Sequence, residues 1–398
     1  MTARAYETSH PWITFTLPAE LRGTPELWAL LGQCQAKFEQ LAGVLIDPAV
    51  ASKLTAMYIV RGAAASTQIE GNPLTEEHLR AAIDHRGEAP QSHEYHQREQ
   101  LNIVDACNAF VTTLESGNRL EITVAEIERL NALVLQGTNY PKEVVPGKIS
   151  EHSVVVGDVY RGAPRSECPY LLDRLCAFLR SDDFAMGEQF AMAEAILRAL
   201  VAHLYLAWIH PFGDGNGRTA RLMEVQILLN AGVPVPAGHL LSNHYNTTRD
   251  AYRRELDLAS RTRRIVPFLL YALRGLVNEL AEQITEVRSY QREIIWNDFL
   301  RTKFNEHQKP ERRRKELMRL IPQVGGPFMT ARLRTLHPSI ETLYAGLDQK
   351  TISRDVNALI ERGLLRPAPN GHLIADQDVL NAFAVRQYPM RPRAARSA

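Results

Sequence analysis

Helical periodicity constrains this chain more than any other feature. Apolar residues recur at intervals of three and four in PELWALLGQCQAKFEQLAGVL, VAEIERLNALVL and EQFAMAEAILRALVAHLYLAWI, the spacing that gathers them on one side of a helix. Strand signals are few. The best is HSVVVGDVYRG, residues 152–162, where a valine run meets a Gly-Asp turn, between turn-forming residues at 139–147 and a helix beginning near Cys168. The expectation is a mainly α fold with one short β-hairpin inserted.

The four cysteines, Cys34, Cys107, Cys168 and Cys176, form no CxxC pair, and reduced thiols in a cytoplasmic protein are the plain reading. The N-terminus lacks a basic region followed by an apolar run, and no apolar stretch is expected to reach bilayer-spanning length, so no membrane is expected.

Charge is divided unevenly. Residues 301–398 carry 18 Lys and Arg against 9 Asp and Glu, and the other 300 carry 28 against 36, so a +9 tail follows a −8 body. In the tail, TLYAGLDQKTISRDVNALIERGLL reads as helix, turn, helix, and LLRPAPNGHLI as a hairpin around Pro-Asn-Gly. Together they describe a winged helix-turn-helix, with Lys350, Arg354 and Arg362 as candidate DNA contacts and Ser353 and Asn357 on the same helix. A protein-docking role is equally compatible. The run ERRRKELMR, residues 311–319, reads as a solvated helix face or a phosphate contact.

The chemistry concentrates at HPFGDGNGRTAR, residues 210–221. Glycines at 213, 215 and 217 permit backbone conformations in which successive N–H groups converge on an anion. GRTARLMEVQILL continues as a helix, whose N-terminus favours phosphate, and Arg218 and Arg221 lie one turn apart for two further clamps. The Walker spacing and the dinucleotide fingerprint do not fit. Asp214 suits an anion pocket only with a divalent cation between it and the phosphates, which points to Mg²⁺ bound by one carboxylate plus nucleotide phosphates. His210 is the side chain suited to accept a proton near neutral pH.

This segment is a complete instance of the Fic domain signature, HPFx[D/E]GNGRxxR, and the chain resembles that family over about residues 30–285. The resemblance implies a mostly helical Fic fold with a hairpin flap, and transfer of AMP from ATP to a hydroxyl side chain of a protein, the protein itself included. It makes His210 the general base and Asp214 the Mg²⁺ ligand. Gly215, Asn216 and Gly217 become the anion hole, Arg218 and Arg221 the holders of the outer phosphates, and Phe212 the loop's anchor in the core. Asn216 is counted with His210 as catalytic.

Upstream, AAASTQIEGNPLTEEHL alone reads as a helix ended by Gly71. Beside a Fic loop, Ser66, Glu70 and Gly71 resemble the family's inhibitory motif [S/T]xxxE[G/N], N-terminal to the core as in class II members. The resemblance implies that Glu70 pairs with Arg221 and denies it to the γ-phosphate. It also implies a target-docking flap near 152–156, where Ser150 stands at the place the family usually gives to arginine. Tyr252 falls near the expected adenine pocket, with a core tyrosine as the competing reading, and His203 reads as a packed or hydrogen-bonded histidine.

The expected layout is a helical region at 1–100 carrying the inhibitory motif, a catalytic core at 101–285, a linker at 286–310 and the winged unit at 311–398. The expected function is an autoinhibited protein adenylyltransferase. The rivals are a de-AMPylase that uses Glu70 to align a water, and a nucleotide-sensing DNA-binding regulator. A homodimer stays open.

Overall fold

In the computed structural model, which describes residues 4–85, 94–156 and 160–380, the segment AMAEAILRALVAHLYLAWI is a helix buried on nearly every side. It belongs to the first of two units, Met1–Thr285 and Glu286–Ala398. That unit runs α1 (Ala5–Ser9), α2 (Pro25–Ala42), α3 (Pro48–Ile69), α4 (Glu76–His85), α5 (Glu94–Glu115) and α6 (Val124–Val134). An antiparallel pair follows, β1 (Val155–Val156) and β2 (Tyr160–Arg161), with Val155 opposite Arg161. Then come α7 (Cys168–Leu179), the buried helix α8 (Ala191–Ile209), α9 (Asn216–Asn230), α10 (Leu240–Thr247), α11 (Arg249–Thr262) and the first part of α12 (Val266–Lys303). The expected Gly157-Asp158 turn lies outside the described residues.

α8 packs along α9, and α9 is further enclosed by α5 and α6. This corrects the expectation about membrane-spanning length. The segment Glu188–Ile209 contains an 18-residue stretch with a mean hydropathy of 1.5, long and apolar enough to cross a bilayer by composition, but 67% of that stretch is buried in the protein. Each fully buried Leu, Val or Ile there contributes about 1.5–3 kcal/mol, which is why a central helix reads like a membrane helix.

Local chemistry sets the element ends. Asp47 caps α3 by accepting from the N–H groups of Ala49 and Val50 at 2.9 and 3.3 Å, and Pro48 fills the first turn. α3 closes at Glu70, followed by Gly71 at φ 99°, a left-handed position that suits glycine. Thr123 caps α6 through the Glu126 N–H. The unit boundary falls within α12, while residue 100 lies inside α5, so the inhibitory segment and the glycine loop share one unit.

The second unit holds the end of α12, then α13 (Lys309–Val324), α14 (Pro338–Leu343), α15 (Gln349–Glu361) and the antiparallel strands β3 (Leu365–Ala368) and β4 (His372–Ala375). Its core gathers Trp296, Leu317, Met318, Tyr344, Ile352 and Leu359. Asp348 caps α15 through the Thr351 N–H at 2.8 Å. Two expectations change here. The ERRRKELMR run is not simply a solvated face, because Arg313 and Arg314 donate to Asp355, which is 1% exposed, at 2.6 and 2.8 Å. Nor is Arg362 a free cation, since it grips both oxygens of Glu311 at 2.7 and 2.8 Å.

Tyr344 also donates to Asp355, at 3.1 Å, so one carboxylate joins α13 to α15. Asp355→Ala leaves Arg313 without its carboxylate and Arg314 with only Glu311, at 2.9 Å, and the expected loss in the full chain is about 3–5 kcal/mol by denaturant unfolding. A loss near zero would show that packing alone holds the unit.

Candidate active site

The glycine loop joins the two most buried helices, so its geometry is fixed from both ends. His210 caps α8 in the left-handed conformation, φ 50° and ψ 57°. A non-glycine residue there is strained by about 1–3 kcal/mol and persists only where its surroundings hold it. The hold is visible. Phe212 is fully buried and bridges Ile149, and the Ser150 N–H donates to Pro211 O at 2.8 Å. Gly162 lies so near that an added Cβ would meet the His210 Cβ at 2.8 Å.

Asn216 closes the loop. Its Oδ1 accepts from the Phe212 N–H at 3.0 Å and its Nδ2 donates to Phe212 O at 2.6 Å, so its amide group is spent on holding the loop. Gly215 takes φ 78° at the start of α9. From α6, Asn131 pins the same turn: its Nδ2 donates to Asp214 O at 2.9 Å, and its Oδ1 accepts from the Gly147 N–H at 3.0 Å. Sequence reading missed Asn131. The available signal was an amide on the buried side of VAEIERLNALVL, a position that demands partners.

His210 Nδ1 lies 3.3 Å from Ala207 O, so that nitrogen donates and Nε2 keeps its lone pair. Burial lowers the His210 pKa, against smaller raising effects from the Ala207 carbonyl and the Glu70 and Asp214 carboxylates. Burial thus favours the neutral imidazole, the form that can accept a proton.

His210 lines a cavity of about 520 Å³ together with Glu70, Tyr160, Trp208, Gly217 and Tyr252. Glu70 sits on its wall. Arg221, 1% exposed, donates Nη2 to Glu70 Oε1 at 2.7 Å, and Nε and Nη2 to the Oγ and O of Ser66 at 2.9 and 2.8 Å. Ser66, Glu70 and Arg221 thus meet across 151 or more residues of sequence. Burial alone would raise the Glu70 pKa, but the Arg221 guanidinium outweighs it and holds the carboxyl below its ordinary value. A Cβ on Gly217 would come within 2.2 Å of Glu70 Oε1, so Glu70 fills the space beside the loop's last glycine.

Arg218 is also held. It donates to Glu99 Oε1 at 3.0 Å and to Asp214 Oδ1 at 3.1 Å, with 4% of its surface exposed. Glu99, on α5, was invisible in the sequence, where it is one charge among several in a polar helix start. Among the described residues no group of three His, Cys, Asp or Glu side chains forms a metal cage. Asp214, one-third accessible, offers a single hard oxygen ligand, which fits Mg²⁺ arriving with phosphates and water and does not fit a resident ion.

Tyr252 is packed as a core tyrosine would be and also borders the cavity. It is 4% exposed, stacks on Tyr245 with centroids 4.5 Å apart and shares a 2.8 Å hydrogen bond with His203 Nε2. His203 is packed as expected, with Nδ1 3.0 Å from buried Glu224. At the flap, His10 Nε2 donates to Arg161 O at 2.9 Å and covers the outer edge of β2, while Val155 on β1 is 52% exposed. In the second unit Lys350, Arg354 and Asn357 are exposed on α15, with Ser353 partly so.

Residues 121–228 match the family model described as the Fic/DOC family. The chain is 32% identical over 166 residues to the protein adenylyltransferase fic-1 of Caenorhabditis briggsae, covering 42% of this chain and 31% of that one. It is 32% identical over 169 residues to the protein adenylyltransferase Fic of Nematostella vectensis, covering 42% and 37%. The chain thus spans about a third of the length of these curated relatives. Among solved structures, a Fic family protein from Desulfovibrio desulfuricans G20 superposes with a TM-score of 0.56 at 19% identity, over 88% of this chain and 96% of that one. A Fic domain containing signaling protein from Bacteroides thetaiotaomicron gives 0.51 at 20% identity, over 65% and 97%. These likenesses show the Fic fold.

Proposed function

For a chain whose residues 121–228 form a Fic/DOC domain, we propose a protein adenylyltransferase that takes AMP from ATP and is restrained by its own Glu70. One observation carries the reading: the strained His210 and Glu70, which holds the buried Arg221, line one cavity beside Gly217 at the N-terminus of α9. The first provides a base, the second a brake.

The target hydroxyl would lie between His210 Nε2 and the α-phosphate. Its oxygen forms a bond to phosphorus, the bond to pyrophosphate breaks, and the proton passes to Nε2. The backbone N–H groups at the start of α9 stabilise charge on the α-phosphate, and positioning does most of the work. Asp214 would hold Mg²⁺, which neutralises phosphate charge when bound with the nucleotide. The target chain pairs with the Val155 edge of the flap, the outer edge of β2 being occupied by His10. The second unit's partner is DNA or protein, contacted through Lys350 and Arg354.

The direct test uses ATP labelled on the α- or the γ-phosphate. Protein that retains only the α-label supports AMP transfer, and retention of the γ-label would reassign the enzyme as a kinase.

The lowered His210 pKa predicts a pH profile. The base works when neutral, so activity holds above its folded pKa and falls as pH drops through it. The acid limb of kcat/KM should lie below the ordinary histidine value of about 6.5. A limb above that value would mean a different group, or an exposed histidine, controls the rate.

A second reading rests on Glu70 Oε2. Only Oε1 engages Arg221, and 42% of the Glu70 side chain is accessible. That free oxygen suits alignment of a water for AMP removal, which would appear as Glu70-dependent loss of AMP from modified protein.

A further inference from the structure

Both arginines of the loop are held by carboxylates, and one buried amide joins the two holds. Glu70, on the turn after α3, holds Arg221, and Glu99, on α5, holds Arg218. Between them stands Asn72, 6% exposed and two residues beyond Glu70. Its Nδ2 donates to Glu99 Oε2 and to His96 O, both at 2.8 Å. Its Oδ1 accepts from the Leu74 N–H at 3.0 Å, and its own N–H returns to Thr67 O at 3.2 Å. Asn72 thus uses both ends of its amide, and Glu99 divides its oxygens between Arg218 and Asn72.

We infer that Asn72 and Glu99 form a clasp that sets the strength of the Glu70 restraint by tying the inhibitory turn to the helix that holds Arg218. The inference rests on the restraint proposed above and adds its anchor. Gly71, at φ 99°, is a flexible joint directly after the carboxylate, so the ion pair alone fixes Glu70 only as well as the turn beyond it is fixed. Asn72 supplies that fixation, and a charge-assisted bond to Glu99 is the strongest it makes. Asn72 touches neither arginine, so it is a positioning residue that acts through Glu70.

Asn72→Asp is a near-isosteric test. It keeps the acceptor for the Leu74 N–H, removes both donors and sets a second carboxylate against Glu99. Asn72→Ala serves as the variant without added charge. Each is compared with wild type and combined with Glu70→Gly, reading self-modification by intact mass, Mg²⁺-ATP affinity by calorimetry and Tm by thermal unfolding. The expected result is a gain in self-modification on the order of 5-fold or more with Glu70 present and no further gain in the Glu70→Gly background. A loss of stability alone lowers activity in both backgrounds and cannot produce that pattern. Unchanged or lowered activity in a variant that retains a cooperative unfolding transition would overturn the clasp, as would a gain that persists without Glu70. The Glu70→Gly arm separates the two claims: inactivity there defeats the restraint itself, whereas activity there with no effect of Asn72 defeats only the clasp.

Discussion

His210→Ala should reduce AMP transfer by at least about 10²–10⁴-fold while leaving nucleotide binding and Tm close to wild type. The size follows from losing the proton acceptor at the reacting hydroxyl. The preserved fold follows from the backbone. Alanine inherits the same left-handed conformation, φ 50°, that histidine already occupies, so no new strain is introduced, and Phe212, Ile149 and Asn216 still hold the loop. The imidazole makes only a 3.3 Å bond to Ala207 O, so little else is lost. Transfer kinetics with ATP titrated by calorimetry check both halves. Turnover within a few-fold of wild type would remove His210 from the chemistry, and lost ATP binding would make it a structural residue.

The second large effect has the opposite sign. Glu70→Gly should raise transfer by roughly 5–150-fold, the range of a coupling of about 1–3 kcal/mol. Three features of the site lead there. Removing Glu70 empties the space beside Gly217, where its Oε1 now lies within 2.2 Å of an ideal Cβ position. It frees one face of Arg221 without disordering it, because Ser66 still accepts from Nε and Nη2. Nη1 is already buried without a hydrogen-bond partner among the described residues, so a phosphate oxygen would find donors in place. The variant also loses a carboxylate that raises the His210 pKa, a change that by itself moves the acid limb down. Steady-state kinetics with a protein target, or rates of self-modification, measure the gain. An unchanged rate would mean that the Glu70–Arg221 pair does not restrain the reaction.

Much of this site was legible in one dimension because its chemistry is local. His210, Asp214, the three glycines and both arginines lie within twelve residues, and helical spacing alone places Arg218 and Arg221 on one side of α9. The pairing of Glu70 with Arg221 spans 151 residues and became legible only through the motif that the upstream segment resembles. Contacts with neither locality nor motif stayed hidden. Glu99 reaches Arg218 across 119 residues, and nothing in EYHQREQL separates that glutamate from its neighbours. Asn131 and Asn72 looked like ordinary amides until burial made their hydrogen bonds obligatory.

The fold shows the same division. Periodicity located the helices, and turn chemistry located the flap pair, because both are short-range. The apolar character of α8 was underestimated, since a helix enclosed on all sides loses the polar stripe by which amphipathic helices are recognised. In the second unit, counting charges suggested a solvated basic helix. Asp355 and Glu311 absorb Arg313, Arg314 and Arg362, and leave Lys350 and Arg354 as exposed cations of α15.

In the proposed reading one cavity holds both the base and the brake of an AMP transfer. Intact-protein mass spectrometry of wild type, Glu70→Gly and the Glu70→Gly, His210→Ala double variant, each incubated with ATP and Mg²⁺, tests it most directly. The expected result is a gain of one or more AMP groups that is strong in Glu70→Gly, weak in wild type and absent in the double variant. Equal gain in Glu70→Gly and the double variant, or none in Glu70→Gly, would contradict it.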